Sequence, residues 1–302
     1  MLSHEGRQRP IVPAALVPGA RIRVIAPSGP FDRTLALRGI GWLAQRYRVE
    51  FAWDCFASDG FLAGSDDRRL LELNEALACP DLSAIVAARG GYGLTRIVHR
   101  ADWTSFGKAP KWIVGFSDIT ALHVEAMARG VASLHAENVA GLGRGDARAR
   151  ARWVEALEAP TRIREIRGLS PLQSGHASGI LAGGNLSLLF TCAAAGRLHL
   201  PEGAVLVIED VTEAAYRVDR MLSALLASGA LDRIGAVVVG DFTDCPPSRG
   251  TSVEQVLTER LCTLRVPILS GLHFGHGLEN EPLVLGLPTT VDADSGTLTL
   301  GR

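Results

Sequence analysis

Short apolar runs alternate with helical patterns along the first half of the chain. Four runs have the length and composition of buried strands, at residues 21–26, 49–53, 83–88 and 111–114. Between and after them, apolar residues recur at helical spacing, which predicts helices over 35–47, 66–78 and 119–129. Repeated βα units of this length predict a mainly parallel sheet with helices on its faces.

The pattern weakens after about residue 146 and restarts near residue 179. A charged helix over 147–157 leads into Pro160 and a stretch that contains Gly, Ser and Pro, which predicts a linker over 161–178. The second half has apolar strands at 179–182, 205–208 and 236–239, a helix that runs to Cys192, and short strands between 283 and 300. We therefore predict an N-terminal extension (1–20), an N-terminal α/β domain (21–160) and a second domain (179–302).

Composition supports two globular domains and excludes several classes of protein. The 302 residues are 47% hydrophobic and 21% charged, which excludes a disordered chain. The net charge is −1, and the arginines are dispersed, so nothing indicates a nucleic-acid or membrane partner. Five cysteines without a C-x-x-C pair indicate neither a disulfide framework nor a metal site. Because the N-terminus also lacks the apolar stretch of a secretory signal, we expect a cytoplasmic protein.

Three predicted strands of the first half end in loops of unusual composition. The loops are APSG at 26–29, RGGYG at 89–93 and GFSD at 115–118. Ligands of parallel sheets bind beyond the carboxyl ends of the strands, and glycine lets the backbone approach a ligand closely. Each loop alone could be an ordinary tight turn. Three of them at one sheet edge favour a binding site.

Ser117 has the setting of a nucleophile. The sequence KWIVGFSD runs from a strand through Gly115 and Phe116 into a helix, which is the layout of a nucleophile elbow. The helix N-terminus would place free N–H groups beside a developing oxyanion. The second glycine of G-x-S-x-G is replaced by Ile119, so a serine that merely caps the helix remains an alternative.

A serine nucleophile needs a base, and the base needs an acid that orients it. His273 and His276 lie in a glycine-flanked loop at 271–277, where catalytic residues are more common than inside helices. Both remain candidates, although a lone loop histidine is more often a surface residue. The apolar run 205–208 ends in Glu209 and Asp210, which supplies a candidate acid.

Taken together and in this order, the segments resemble the LD-carboxypeptidase family, the S66 serine peptidases. The resemblance rests on VIAPSG (24–29), GFLAGSD (60–66), RGGYG (89–93), GFSD (115–118), GGNL (183–186), ED (209–210), YRVDR (216–220) and GH (275–276). Each motif is weak alone, whereas the ordered set, which spans about 21–290, is specific.

The resemblance implies a fold, a site and an activity. The fold is an N-terminal flavodoxin-like α/β domain that carries the serine and a β-rich, swivelling-barrel-like C-terminal α/β domain. The triad falls on Ser117, His276 and Glu209. In the mechanism that we expect from this triad, the backbone N–H groups of Gly91 and Asp118 form the oxyanion hole. Family members cleave the amide between meso-diaminopimelate and D-alanine in murein tetrapeptides during cell-wall recycling. They are cytoplasmic homodimers that need no metal, and we expect no cofactor here.

Substrate contacts are less constrained by the sequence. A carboxypeptidase binds a free carboxylate, for which arginine is suited. The candidates are Arg89, Arg217 and Arg220, although a salt bridge on a helix surface is the commoner role for the last two. Tyr92 and Asn185 are further candidates for contacts to the substrate.

One departure from the family falls beside the expected pocket. Family members often have a His-Gly-Pro-like stretch where this chain has His135-Ala136-Glu137. The difference bears on the shape of the pocket more than on the triad.

Two alternative functions remain. A sub-branch of the family resembles the microcin C self-immunity proteins, which hydrolyse an amide of a peptidyl or aminoacyl nucleotide. A ligand-binding module without catalysis is the alternative from another class. A dinucleotide or P-loop enzyme is not favoured, because neither glycine motif of those enzymes occurs in the expected place.

Overall fold

The structure is a computed structural model and describes residues 9–301. Residues 1–8 of the predicted N-terminal extension therefore lie outside the described residues. Its remaining part packs on the first half of the chain: Leu16 is buried, and the Trp112 indole donates to the carbonyl of Ala14 at 2.9 Å.

The first half forms the predicted series of βα units. Its elements are β1 (Arg21–Ile25), α1 (Arg33–Leu43), β2 (Arg48–Glu50), α2 (Asp66–Ala78), β3 (Ala84–Ala87), α3 (Leu94–Ile97), β4 (Trp112–Gly115), α4 (Thr120–Ala128), β5 (Ser133–His135), α5 (Val139–Leu142) and α6 (Ala147–Glu158). The strand predicted over 49–53 is shorter, because a 3-10 turn takes over at Trp53–Phe56.

The second half contributes more strands than helices. Its elements are β6 (Arg164–Arg167), β7 (Ser170–Gln173), β8 (His176–Asn185), α7 (Leu186–Ala194), β9 (Val205–Val211), α8 (Ala215–Ala227), β10 (Ala236–Thr243), α9 (Val253–Leu261), β11 (Ile268–Ser270), β12 (Leu283–Leu285), β13 (Pro288–Asp292) and β14 (Thr297–Leu300).

The first sheet has the order β12-β5-β4-β3-β1-β2. All neighbours are parallel except β12, which runs antiparallel to β5. The order β2-β1-β3-β4-β5 is that of flavodoxin-like sheets, which confirms the predicted fold class for this half. The strand β12 arrives from the second half, so the chain returns to the first sheet after the loop at 271–277.

The second sheet has the order β6-β14-β13-β8-β9-β10-β11-β7. Its centre, β8 to β11, is parallel, and the outer strands pair antiparallel. Residues 164–173, which we predicted as linker, form the two edge strands β6 and β7. These strands are polar and partly exposed, so they lack the apolar run that marks a buried strand.

Helix α4 joins the two halves through the core. Seven consecutive residues from Thr120 to Ala126 are buried, because the helix packs against both α7 and β8 as well as its own sheet. One apolar cluster includes residues of both sheets, among them Ile113, Leu122, Leu186 and Leu206. In the described part of the chain, no helix is both long and apolar enough to cross a membrane.

Candidate active site

Ser117 lies in a strained turn between β4 and α4. Its φ is 67°, in the left-handed region that residues other than glycine rarely adopt. Such strain persists where the surrounding structure enforces it, and it is common at active sites. Here a buried strand enters the turn and a buried helix leaves it. The geometry is that of the predicted nucleophile elbow.

His276 is hydrogen bonded to Glu209 across the second half of the chain. The His276 Nδ1 atom lies 2.7 Å from Glu209 Oε2, and 19% of the histidine side chain but none of the glutamate side chain is exposed. Because a carboxylate accepts, Nδ1 carries the hydrogen and Nε2 is free to accept a proton. This is the tautomer that a general base requires.

Strand alternation separates the roles of Glu209 and Asp210. Both lie within β9, which extends past the predicted end at residue 208 to Val211. Side chains of neighbouring strand residues point to opposite faces. Asp210 accepts from the Asn185 amide and from the backbone and hydroxyl of Ser187, so it fixes the start of α7. Glu209 faces His276 instead.

Gly275 leaves the space that the Glu209 carboxylate occupies. A Cβ atom at this position would lie 2.3 Å from Glu209 Oε2, and the φ of Gly275 is 112°. The Gly275 N–H donates to the Asn280 side chain at 3.0 Å, which holds the loop. The flanking glycine noticed in the sequence is thus required by a close approach.

Ser117 and His276 line one cleft of about 780 Å³. The cleft lies where the loops after β1, β3, β4 and β5 meet the end of β9 and the His276 loop. Its lining residues are Pro30, Phe31, Asp32, Leu35, Arg89, Gly90, Gly91, Phe116, Ser117, Glu137, Asn138, Ala140, Gly141, Arg144, Val211, Thr212 and His276.

The histidine–glutamate pair has shifted protonation equilibria. Burial lowers the pKa of His276, but the hydrogen bond and charge of Glu209 outweigh it, so the pKa is raised above its usual 6.5. Burial raises the pKa of Glu209, and the hydrogen bond from His276 opposes that shift. Each partner therefore stabilises the charged form of the other.

An aromatic cluster lies against His276. The Phe116 ring centroid is 4.8 Å from that of His276 and 5.8 Å from that of His135. His135 is buried and stacks on Phe274 at 3.9 Å. Burial, with the nearby histidines, lowers the pKa of His135 well below 6.5, so its ring is neutral and packs as an aromatic residue.

Charged residues of α2 hold the loops that carry the site. The Arg69 guanidinium is fully buried and donates to the carbonyls of Pro27 and Gly93 at 2.6 and 2.9 Å. The Glu72 carboxylate accepts from the Ala26 N–H at 2.8 Å. Arg69 thereby ties the loop after β1 to the loop after β3.

Asp118 ties the serine turn to the same framework. Its side chain is buried and accepts from the Leu94 N–H at 2.9 Å. Burial raises the pKa of this carboxyl to about 6, against the opposing effect of the Ser28 hydroxyl and the Leu94 N–H.

The loop after β3 touches the serine directly. A Cβ atom at Gly90 would lie 2.7 Å from Ser117 Cβ and 3.0 Å from Ser117 Oγ. Gly91 lines the cleft with φ at 106°. Among the hydrogen bonds of residues 9–301 outside regular helices and strands, none is donated by the N–H group of Gly91 or of Asp118.

The structure brings only some of the predicted substrate contacts to the cleft. Arg89 lines it and donates to the Pro30 carbonyl at 2.5 Å, and the exposed Tyr92 follows Gly91. Asn185 is buried, where it caps α7 and binds Asp210. Arg217 is outside the cleft lining and pairs with Glu213 and Tyr216.

Two further candidates, Arg220 and His273, are not among the residues that line the cleft. Arg220 lies over the Tyr216 ring at 5.4 Å, which is a surface contact of α8. His273 is 70% exposed, and its Nδ1 lies 3.8 Å from Asp241. Of the two loop histidines, only His276 lines the cleft.

Glu137 and Arg144 also line the cleft, and our sequence reasoning assigned neither a role. The available signal was the departure from the family at residues 135–137. Nothing in the sequence pointed to Arg144, because it lies in a polar connection between two helices and belongs to no motif.

Ser117, His276 and Glu209 are the residue types of a serine-hydrolase triad, and Ser117 and His276 line the same cleft. Comparison with known families makes the assignment specific. Residues 22–136 match the LD-carboxypeptidase N-terminal domain, and residues 178–291 match the LD-carboxypeptidase C-terminal domain. The chain belongs to the LD-carboxypeptidase family and is a serine carboxypeptidase, as the resemblance implied.

Relatives cover nearly the whole chain. A Streptomyces coelicolor protein that is named as a carboxypeptidase is 40% identical to this chain, over 96% of both chains. The murein tetrapeptide carboxypeptidase of Pseudomonas aeruginosa is 34% identical over 91% of this chain and 94% of its own. The crystal structure of muramoyltetrapeptide carboxypeptidase from Oxalobacter formigenes superposes with a TM-score of 0.84 at 29% identity, covering 94% of this chain and 99% of that one.

A more distant relative belongs to the other branch of the family. The microcin C7 self-immunity protein MccF of Escherichia coli is 24% identical over 97% of this chain and 96% of its own.

Proposed function

We propose that this protein is a muramoyltetrapeptide carboxypeptidase that hydrolyses the meso-diaminopimelate–D-alanine amide with a Ser117–His276–Glu209 triad. The observation that carries the proposal is the 2.7 Å contact between His276 and the fully buried Glu209, beside the cleft that contains the strained Ser117. The similarity to proteins named murein tetrapeptide carboxypeptidase supports the choice of substrate.

The proposed reaction follows from these positions. Ser117 Oγ attacks the scissile carbonyl while His276 Nε2 takes the hydroxyl proton. Glu209 stabilises the resulting imidazolium, and the N–H groups of Gly91 and Asp118 bind the oxyanion. The imidazolium then protonates the nitrogen of the leaving D-alanine. Water, activated by His276, hydrolyses the acyl-enzyme and regenerates Ser117.

The proposal extends to the setting of the enzyme. It acts on small murein peptides in the cytoplasm during cell-wall recycling, as a homodimer, and it requires no cofactor, metal, nucleic acid or membrane. Size-exclusion chromatography with light scattering tests the dimer, and activity after exhaustive chelation tests the independence from metal.

The test of the triad is release of D-alanine from murein tetrapeptide. We expect Ser117→Ala and His276→Ala to lose activity, whereas His273→Ala, in the same loop but outside the cleft, keeps it. A fluorophosphonate probe should label wild-type Ser117, because labelling requires an activated serine. Full activity of Ser117→Ala contradicts the proposal. Absence of both turnover and labelling favours a ligand-binding module.

One observation favours the second branch of the family. Phe61 and Tyr92 form an exposed aromatic pair, with ring centroids 5.6 Å apart, beside the glycine loop that borders the cleft. Such a pair could stack on a nucleobase. Turnover of an aminoacyl-sulfamoyl adenosine that exceeds turnover of murein tetrapeptide, and that falls in Tyr92→Ala, would establish the immunity-type activity instead.

A further inference from the structure

Glu137 places a carboxylate in the cleft that has no hydrogen bond or ion pair among the residues that the structure describes. It is half-buried and lies at the end of the β5 loop, among the residues that surround Ser117 and His276. Its carboxylate makes no hydrogen bond and no ion pair within 4 Å with any described residue. The proposed triad does not use it.

Hydrogen bonds hold the backbone around Glu137 in place. The Glu137 carbonyl accepts from the Trp153 indole at 3.1 Å. The next residue, Asn138, is buried and accepts from the Phe116 N–H at 3.4 Å. The carboxylate is therefore presented to the cleft from a fixed position, as a binding group should be.

Gly141 adds to this arrangement. A Cβ atom at this position would lie 1.8 Å from Glu137 Oε2, so the carboxylate rests directly against the backbone of α5. Burial raises the pKa of Glu137, and the charges of Arg144 and His276 oppose that shift. Of these two charges, that of Arg144 has the larger effect on the pKa of Glu137. Arg144 is exposed, and its side chain makes no hydrogen bond within residues 9–301.

The charges of the cleft fit those of one kind of substrate end. Asp32 caps α1 through its side chain, which leaves Arg89, Glu137 and Arg144 as the other charged groups of the lining besides His276. A peptide that ends in diaminopimelate and D-alanine presents two carboxylates and one ammonium. Two arginines and one glutamate complement these three groups.

We propose that Glu137 and Arg144 form a subsite for a side chain that ends in a free amino acid, with Glu137 on its ammonium and Arg144 on its carboxylate. The subsite rests on the proposed function, since it selects the residue on the N-terminal side of the scissile amide. Arg89 remains for the terminal carboxylate of the substrate. The departure from the family at Glu137 then becomes a determinant of specificity.

The test compares three tetrapeptides that differ only in the third residue: meso-diaminopimelate, lysine or norleucine. Lysine keeps the ammonium and lacks the carboxylate, and norleucine lacks both. We expect Glu137→Gln to lower kcat/KM about 10- to 100-fold on the first two peptides and little on the third, the loss typical of a charge-assisted hydrogen bond. Arg144→Gln should lower it only on the diaminopimelate peptide.

Two further variants distinguish a loss of substrate binding at the subsite from a general loss of activity. Gly141→Ala displaces the Glu137 carboxylate without removing its charge, so it should reproduce the selectivity of Glu137→Gln. Arg48→Gln removes an exposed arginine at the amino end of β2, whereas the cleft lies beyond the carboxyl ends of the neighbouring strands. This variant should leave kcat/KM unchanged on all three peptides. Equal losses on all three peptides, with a shifted pH profile, would mean that Glu137 acts through His276 and would overturn the subsite.

Binding of the tripeptide product that ends in diaminopimelate keeps the two proposals distinguishable. If wild type hydrolyses none of the peptides, but binds this tripeptide more tightly than Glu137→Gln and Arg144→Gln in calorimetry, the subsite stands and the proposed function fails. If wild type hydrolyses the peptides while the variants keep its selectivity and its tripeptide affinity, the subsite fails and the proposed function stands.

Discussion

Replacing Gly275 by alanine should disable the enzyme while leaving it folded. The added Cβ would lie 2.3 Å from Glu209 Oε2, 2.6 Å from its Cγ and 2.7 Å from its Cβ. Atoms of this kind pack at roughly 3.5–4.0 Å, so the glutamate side chain or the loop must move by about 1 Å. Either movement stretches the 2.7 Å contact between Glu209 and His276.

The size of the effect follows from that displacement. A misplacement of about 1 Å costs roughly 100-fold in rate where a catalytic group has to be held in position. A residue with a Cβ at the left-handed φ of 112° also costs about 1–2 kcal/mol of stability. We therefore expect kcat to fall about 100-fold and the free energy of unfolding to fall by at least that amount.

The assay needs a control that shares the backbone strain but not the collision. Gly271, in the same loop, has φ at 86° and no atom within 4 Å of an added Cβ. Gly271→Ala should lose similar stability and keep its kcat for D-alanine release. If Gly275→Ala is folded by circular dichroism and its kcat matches that of Gly271→Ala, the close packing of Gly275 on Glu209 does not hold the base, and the reasoning is wrong.

Three further outcomes are expected. In wild type, kcat/KM should rise with pH through the pKa of His276, above 6.5, whereas Glu209→Gln should shift that rise to lower pH and lower the rate by up to about 10⁴-fold. Gly90→Ala should displace Ser117 and slow fluorophosphonate labelling about 100-fold, since its Cβ would lie 2.7 Å from Ser117 Cβ. Burial lowers the pKa of His123 from 6.5 to about 4, so its protonation in the unfolded chain should lower stability by roughly 3 kcal/mol as pH falls from 7 to 4. Urea unfolding of wild type and His123→Gln at both pH values measures this difference.

Each of these outcomes has a matched comparison. Gly41 lies in α1 with no atom within 4 Å of an added Cβ, so Gly41→Ala should label at the wild-type rate. A difference in stability between wild type and His123→Gln that stays constant from pH 7 to 4 would contradict the neutral buried histidine. An acid limb that is the same in Glu209→Gln and wild type would remove Glu209 as the residue that raises the pKa of His276.

Much of the fold could be predicted because buried strands and amphipathic helices leave regular patterns. The parallel units of the first half and helix α2 are of this kind. The edge strands β6 and β7 were missed because they have polar, partly exposed residues that resemble a linker. The strand β12 has a plain apolar pattern, but pattern alone does not say that it pairs with β5 of the other half.

The sequence predicted which types of residue form the candidate site better than it predicted which of them contact one another. Ser117 and the carboxylates after residue 208 were visible as residue types at strand ends. The choice between His273 and His276 depended on the resemblance, since both lie in one loop. The structure separates them, because His276 lines the cleft and contacts Glu209, whereas His273 is largely exposed. Asn185 was a plausible substrate contact by type, whereas its amide is used by Asp210.

The sequence by itself determined the βα units, the nature of the loops at their ends and the identity of the nucleophile candidate, because these depend on residues close together in the chain. Only the tertiary structure decided which side chains face the cleft. Arg69 belongs to a helix that is charged in sequence, yet it is fully buried and joins two loops. Glu137 is equally polar in sequence, yet it lines the cleft with His276, and its carboxylate has no hydrogen bond or ion pair among residues 9–301. The burial of a side chain and its hydrogen-bond partners depend on segments that are far apart in the chain. The periodicity of one segment therefore cannot predict them.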